Sequence, residues 1–271
     1  MISDSPFPAD FDRRQKYLGE YLTQNGYYVI LAESAPDLEL EVASYAETDA
    51  KKLVLLPVPA SAALLKKLSP NLNSCHIVLG GNLSEDFTAF CQKSGIAYID
   101  YMKFPAVAIE NAVATAEGAI SQAICSSDIN LHQSNVLVIG FGKCGEILAD
   151  KLSGLKCHVF ISTRNEEAQA RAKSYGYQLL SDTSYSEMDI IFNTAPAPVL
   201  HAEIIDRLQP DTIIIDIASR PGGTDFNYCA QKGIVAKHCP GLPGKYSPKT
   251  SAQIIYRQLQ KVLQSNVTSQ K

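Results

Sequence analysis

The stretch NVLVIGFGKCGEILADKL, Asn135–Leu152, opens as a short apolar strand, turns through three glycines and continues as a helix. A strand running straight into Gly140-Phe141-Gly142-Lys143-Cys144-Gly145 and then a helix is the context in which G-x-G-x-x-G carries meaning. The first glycine permits the tight turn, the second lets backbone approach a diphosphate, and the third lets helix and strand pack closely. Free N–H groups at the helix start, with the helix dipole behind them, suit phosphate oxygens. A strand at Cys157–Ile161 (CHVFI) completes the β-α-β unit. The plain alternative is a glycine turn with no ligand. Within it, Cys144 reads as a small residue fitted to a crowded turn rather than an activated thiol.

The end of that second strand decides which dinucleotide is expected, because NAD-binding folds place an acid there for the ribose 2′-hydroxyl. Ser162-Thr163-Arg164 offers two hydroxyls and a guanidinium instead, a set suited to a 2′-phosphate and hence to NADP. A solvated loop arginine is the bland reading of Arg164.

Two further strands, Asp189–Asn193 (DIIFN) and Thr212–Ile217 (TIIIDI), lead into polar loops. In a doubly wound sheet ligands bind outside the carboxyl ends of the strands. Asn193-Thr194-Ala195-Pro196 and Ala218-Ser219-Arg220 are therefore expected to border the nicotinamide half of the cofactor, joined by Gly241 and Leu242 of Pro240–Thr250. The prolines and glycines of that last segment predict a shaped loop rather than a helix, with the final helix starting at Thr250 or Ser251.

Before the glycine turn, YYVIL (Tyr27–Leu31), LVLLP (Leu53–Pro57), HIVL (His76–Leu79) and IAYI (Ile96–Ile99) alternate with segments of helical composition. That alternation predicts a second parallel sheet. The opening Ser5–Asp12 lacks the apolar continuity of a first strand, and Val107–Cys125 reads as one long alanine-rich helix with Gly118 tolerated inside it. The expected class is α/β, with a C-terminal Rossmann-type doubly wound parallel sheet and a smaller N-terminal α/β domain. Its expected division is 1–125 for the N-terminal domain, closing in the long interdomain helix, 126–247 for the dinucleotide-binding domain, and 248–271 for a helix returning to the first.

With 271 residues, 46% hydrophobic and 19% charged, the composition is that of an ordinary globular protein. A net charge of -4, with scattered Lys and Arg, gives no footprint for nucleic acid. Seven cysteines lack any metal-ligand or disulfide spacing, which suggests a reducing compartment and no metal. No apolar run is long enough for a membrane span and no leader is visible at the N-terminus, so a cytoplasmic location is expected.

DIASRPGGTDF (Asp216–Phe226) and PGLPGKYSPKTSAQII (Pro240–Ile255) resemble the A-subunit family of dipicolinate synthases. TAEGAI (Thr115–Ile120), the glycine turn and NTAP (Asn193–Pro196) extend the likeness, and DRRQ (Asp12–Gln15) and DY (Asp100-Tyr101) do so more weakly. The resemblance implies an NADP-linked oxidation of a dihydrodipicolinate, or its hydroxylated precursor, to dipicolinate. It also implies a flavoprotein-like B subunit as partner and the mother cell of a sporulating bacterium as setting; a homo-oligomer is expected. PFPADF before DRRQ, Lys103-Phe104-Pro105 after DY, and Ala114 before TAEG depart from the family pattern and leave the first-domain half of the substrate site in question.

For that chemistry Arg220, Lys245 and Lys249 are the candidate cations for two carboxylates, with Ser219 and Tyr246 as donors and Glu117 as proton acceptor. Against these stand solvated lysines, a Glu117 that merely pairs with a basic neighbour, and a structural His238. Two rival readings remain open: another two-domain NAD(P)-dependent dehydrogenase, and a cofactor-binding subunit that performs no chemistry.

Overall fold

A computed structural model describes residues 12–32, 52–180 and 184–268, with side chains to 264. The chain divides into two compact units, 1–110 with 247–271 and 111–246. The division falls inside the long helix; residues 5–11, most of the opening stretch in which no first strand is legible, lie outside the described residues.

The first unit holds a four-stranded parallel sheet: β1 (Val29–Leu31), β2 (Lys52–Leu55), β3 (His76–Gly80) and β4 (Ala97–Asp100), in that spatial order. Alternate residues of a strand face opposite sides. Val54 and Leu56 therefore pack under helices α2 (Ala62–Leu68) and α3 (Glu85–Lys93), whereas Leu53 and Leu55 face α1 (Arg13–Gln24). The same side takes the start of α4 (Pro105–Ile124), through Val107, and the last helix of the chain.

The second unit is a six-stranded parallel sheet built from β5 (Asn135–Ile139), β6 (His158–Ser162), β7 (Gln178–Leu179), β8 (Ile190–Asn193), β9 (Ile213–Asp216) and β10 (Val235–His238). Its spatial order, β10-β9-β8-β5-β6-β7, is that of the doubly wound dinucleotide fold, with the order reversing between β5 and β8. Val136, Val138 and Phe192 pack under α4, α5 (Lys143–Gly154) and α6 (Glu166–Ser174). Leu137, Ile191 and Ile214 pack with Leu200, with Ile205 of α7 (Ala202–Ile205) and with Cys229 of α8 (Phe226–Lys232) on the other face. Both faces are thus buried, which is why these strands read as unbroken apolar runs.

The expectation of a loop over Pro240–Thr250 is corrected. Leu242–Tyr246 forms a short helix, α9, and the last helix, α10, runs Pro248–Thr268, starting before the expected Thr250 or Ser251. Pro248 is compatible with a first helical position because its missing N–H would have no intrahelical partner there. The strand β7 is not legible in the sequence: two residues on a sheet edge leave no period to read.

Candidate dinucleotide-binding site

The strand order reverses between β5 and β8, where a doubly wound sheet forms its ligand crevice outside the carboxyl ends of the strands, and the glycine turn follows β5 at that point. Its three glycines have different reasons to be glycine. Gly140 has φ +88°, and a Cβ on it would lie 2.5 Å from Thr194 Oγ1. At Gly145 a Cβ would fall 2.1 Å from the Gly140 carbonyl oxygen, so the start of α5 could not sit against the strand end. Gly142 is different. A Cβ there meets nothing within 4 Å, and its φ of -94° is open to any residue. Gly142 is also the N-cap of α5, so no side chain caps the helix and its first N–H groups stay available.

The turn is held from three sides. The Thr194 hydroxyl donates to the carbonyls of Ile139 (3.0 Å) and Gly140 (3.3 Å), tying β8 to β5 across the crevice. Arg171 donates from Nη2 to the Phe141 carbonyl at 3.3 Å and pairs with Glu146 at 2.7 Å. The Phe141 side chain is buried, its ring packed against those of the exposed Tyr175 and the partly buried Tyr177. Burial pushes the Cys144 thiol up, with Lys143 opposing, in keeping with a packing role and not an acidified nucleophile.

At the end of β6, Ser162 and Thr163 are half-buried and Arg164 is exposed, with no ion-pair partner among the described residues. Asn165 caps α6 by accepting from Ala168 N at 2.8 Å. Glu166 and Glu167 stand in that helix's first turn, where they complement the dipole, and Glu167 pairs with Arg171. No acid stands between the strand end and the cap.

On the other side of the reversal, Asn193 is fully buried and its amide is used internally, accepting from Ala195 N and donating to Ala195 O and Asp216. Through these bonds it organises the start of the Thr194–Pro196 loop. Ser219 and Arg220 are exposed, and Ala218 is buried just before them. The residue missed by sequence reasoning is Asp216, a fully buried carboxylate that accepts four hydrogen bonds. An acid ending an apolar strand was the available signal.

The remaining candidates are scattered. Leu242 is buried against Gly118, the Tyr246 hydroxyl accepts from Gln122, and Gly241, Lys245 and Lys249 are exposed. Glu117 pairs with Lys151 of α5 at 2.9 Å. His238 Nε2 lies 3.0 Å from the Ala218 carbonyl, a structural bond. In the first unit the two weaker resemblance segments meet: Gln15 donates to the buried Tyr101 hydroxyl at 3.2 Å, beside an Arg14–Asp12 pair. Among the described residues no group of three potential metal ligands occurs, and no helix is long and apolar enough to cross a membrane.

Residues 108–222 match the family described as D-isomer specific 2-hydroxyacid dehydrogenase, NAD binding domain. Over 161 residues, 58% of this chain, the protein is 38% identical to the A subunit of dipicolinate synthase from Bacillus subtilis (strain 168). That alignment spans about half of the curated relative, 54% of its length. The crystal structure of the dipicolinate synthase A subunit from Bacillus halodurans superposes with a TM-score of 0.77 at 26% identity, covering 92% of this chain and 94% of that one. A transhydrogenase from Sinorhizobium meliloti shares the fold, with a TM-score of 0.65 at 16% identity over 93% of this chain and 89% of that one. The likeness read from the Asp216–Phe226 and Pro240–Ile255 strings is thereby borne out: the chain resembles the A subunits of dipicolinate synthases in sequence and fold, and its residues 108–222 match the NAD-binding domain of the 2-hydroxyacid dehydrogenases.

Proposed function

We propose that the chain is the A subunit of a dipicolinate synthase, which binds NADP(H) and oxidises dihydrodipicolinate, formed from its hydroxylated precursor by loss of water or taken up as such, to dipicolinate. The observation that carries the nucleotide site is the open space over Gly142 beside uncapped helix amides, where the other two glycines are accounted for by protein atoms. The choice of NADP rests on the exposed Arg164, without an ion-pair partner among the described residues, next to two hydroxyls and with no acid at the end of β6.

When bound, the nicotinamide nucleotide supplies the hydride acceptor. The chain's own residues supply the rest. The amides of residues 143–145 hold the diphosphate, and Ser162, Thr163 and Arg164 hold the 2′-phosphate. Arg220, exposed and without an ion-pair partner among the described residues, takes one substrate carboxylate; Lys245 takes the second and Ser219 donates a hydrogen bond. Glu117 is committed to Lys151, and the proposal does not use it; the proton released on aromatisation passes to solvent at the exposed rim.

The name of the relative motivates a B subunit as partner and a role in sporulation, in the cytoplasm of the mother cell. Titration of the purified chain with NADP+ and NAD+, followed by dihydrodipicolinate with and without the B subunit, tests this reading. Tighter binding of NADP+ and nucleotide-dependent formation of dipicolinate are expected. Preference for NAD+ overturns the cofactor assignment, and turnover of a hydroxy acid instead overturns the substrate.

A further inference from the structure

We propose that Asp216 is a positioning residue: with Asn193 it fastens the loop after β8 to the loop after β9, so that Ser219 and Arg220 are presented from one preformed body. The inference rests on the functional reading above for what Arg220 holds, but the fastening itself is visible in the fold.

Asp216 ends β9 and is in register with Asn193 on one side and His238 on the other. Three of its four donors belong to the loop after β9: Ala218 N at 3.0 Å, Gly223 N at 2.8 Å and the Thr224 hydroxyl at 2.7 Å. The fourth, Asn193 Nδ2 at 3.0 Å, ends the neighbouring strand, and Asn193 is itself bonded to both backbone groups of Ala195. A carboxylate out of water is tolerated when donors fill its lone pairs, and here all four donors are neutral. The backbones interlock as well. Val199 N and Leu200 N both donate to the Gly223 carbonyl, at 3.0 and 2.9 Å. A Cβ on Gly223 would lie 2.3 Å from the Ala197 carbonyl oxygen and 2.5 Å from Asn193 Nδ2. His238 adds a third strand through the Ala218 carbonyl.

Ser219 and Arg220 lie between the two anchored points, Ala218 and Gly223, and their side chains are exposed. A guanidinium offered from a loop fixed at both ends need not be ordered when a ligand arrives, and affinity is lost when it must be.

The test uses the full chain with Asp216→Asn and, as a milder variant, Thr224→Val, which removes one donor and nearly preserves volume. In Asp216→Asn an NH2 must face either Ala218 N or the other three donors. Hydrogen exchange of the free chain is expected to rise in both loops, 194–200 and 218–224, with the same pattern at smaller amplitude in Thr224→Val. NADP+ affinity should stay within about twofold, since the diphosphate is held at the glycine turn, while KM for the dicarboxylate rises on the order of tenfold and kcat changes less. Exchange rising only in 218–224 in both variants overturns the coupling, and an unchanged KM with both loops loosened overturns the positioning role. Absence of nucleotide binding by the wild-type chain contradicts the functional reading instead, and the exchange data still decide whether the loops are coupled.

Discussion

Both sheets carry glycines at the carboxyl end of a central parallel strand, but only one of the two ends is closed by the protein. After β3, a Cβ on Gly80 would lie 2.5 Å from Leu83 Cδ2 and one on Gly81 2.5 Å from Met102 Cγ. The amides that follow, of Asn82 and Leu83, are taken by the Asp100 carboxylate at 3.0 and 3.2 Å. After β5 the corresponding space over Gly142 is open and the helix that follows has no side-chain cap. A glycine pressed by side chains is explained by packing; a glycine facing open space beside free amides is explained by what binds there. The strand orders agree with this. The first sheet runs β1-β2-β3-β4 without a reversal among the described residues, and the second reverses where its glycines lie.

That contrast breaks most visibly at Gly145. Gly145→Ala puts a methyl group 2.1 Å from a carbonyl oxygen, and a loss of about 3 kcal/mol or more of stability is expected from a denaturant titration. Gly142→Ala should do the opposite: a melting temperature close to wild type, with nucleotide affinity lowered about a hundredfold, or about 2.7 kcal/mol, in a calorimetric titration. Comparable losses of stability in the two variants would erase the distinction. Gly81→Ala sharpens it from the other sheet, with about 1–2 kcal/mol lost because flexible Met102 can shift, and nucleotide affinity unchanged. The smallest effect is expected at Arg164: Arg164→Ala lowers NADP+ affinity about tenfold and leaves NAD+ affinity as it was. Equal losses for both nucleotides would remove the 2′-phosphate from its account.

The parts legible in the sequence were those with a local signature. β5, the glycine turn and α5 form one continuous string whose chemistry is set by neighbours in sequence, and the buried strands are apolar throughout because both faces are covered. What escaped reading depends on residues far apart in the chain. Asp216 becomes a hub only because β8 lies beside β9, which brings Asn193 within 3.0 Å across 23 residues. For Glu117 the sequence leaves both a proton acceptor and a partner of some basic neighbour open, and only the placing of α5 makes that neighbour Lys151. Pro240–Thr250 shows why composition misleads at short range: Leu242 is buried against Gly118 and Ile120 lies in the same core, and this packing supports a helical turn across Pro243 and Gly244.

A crystal structure of the chain grown with millimolar NADP+ tests the central claim most directly. Diphosphate density over Gly142, within hydrogen-bonding distance of the first amides of α5, is the predicted result. A nucleotide bound elsewhere, or a crevice occupied by protein side chains in the presence of saturating nucleotide, would contradict it.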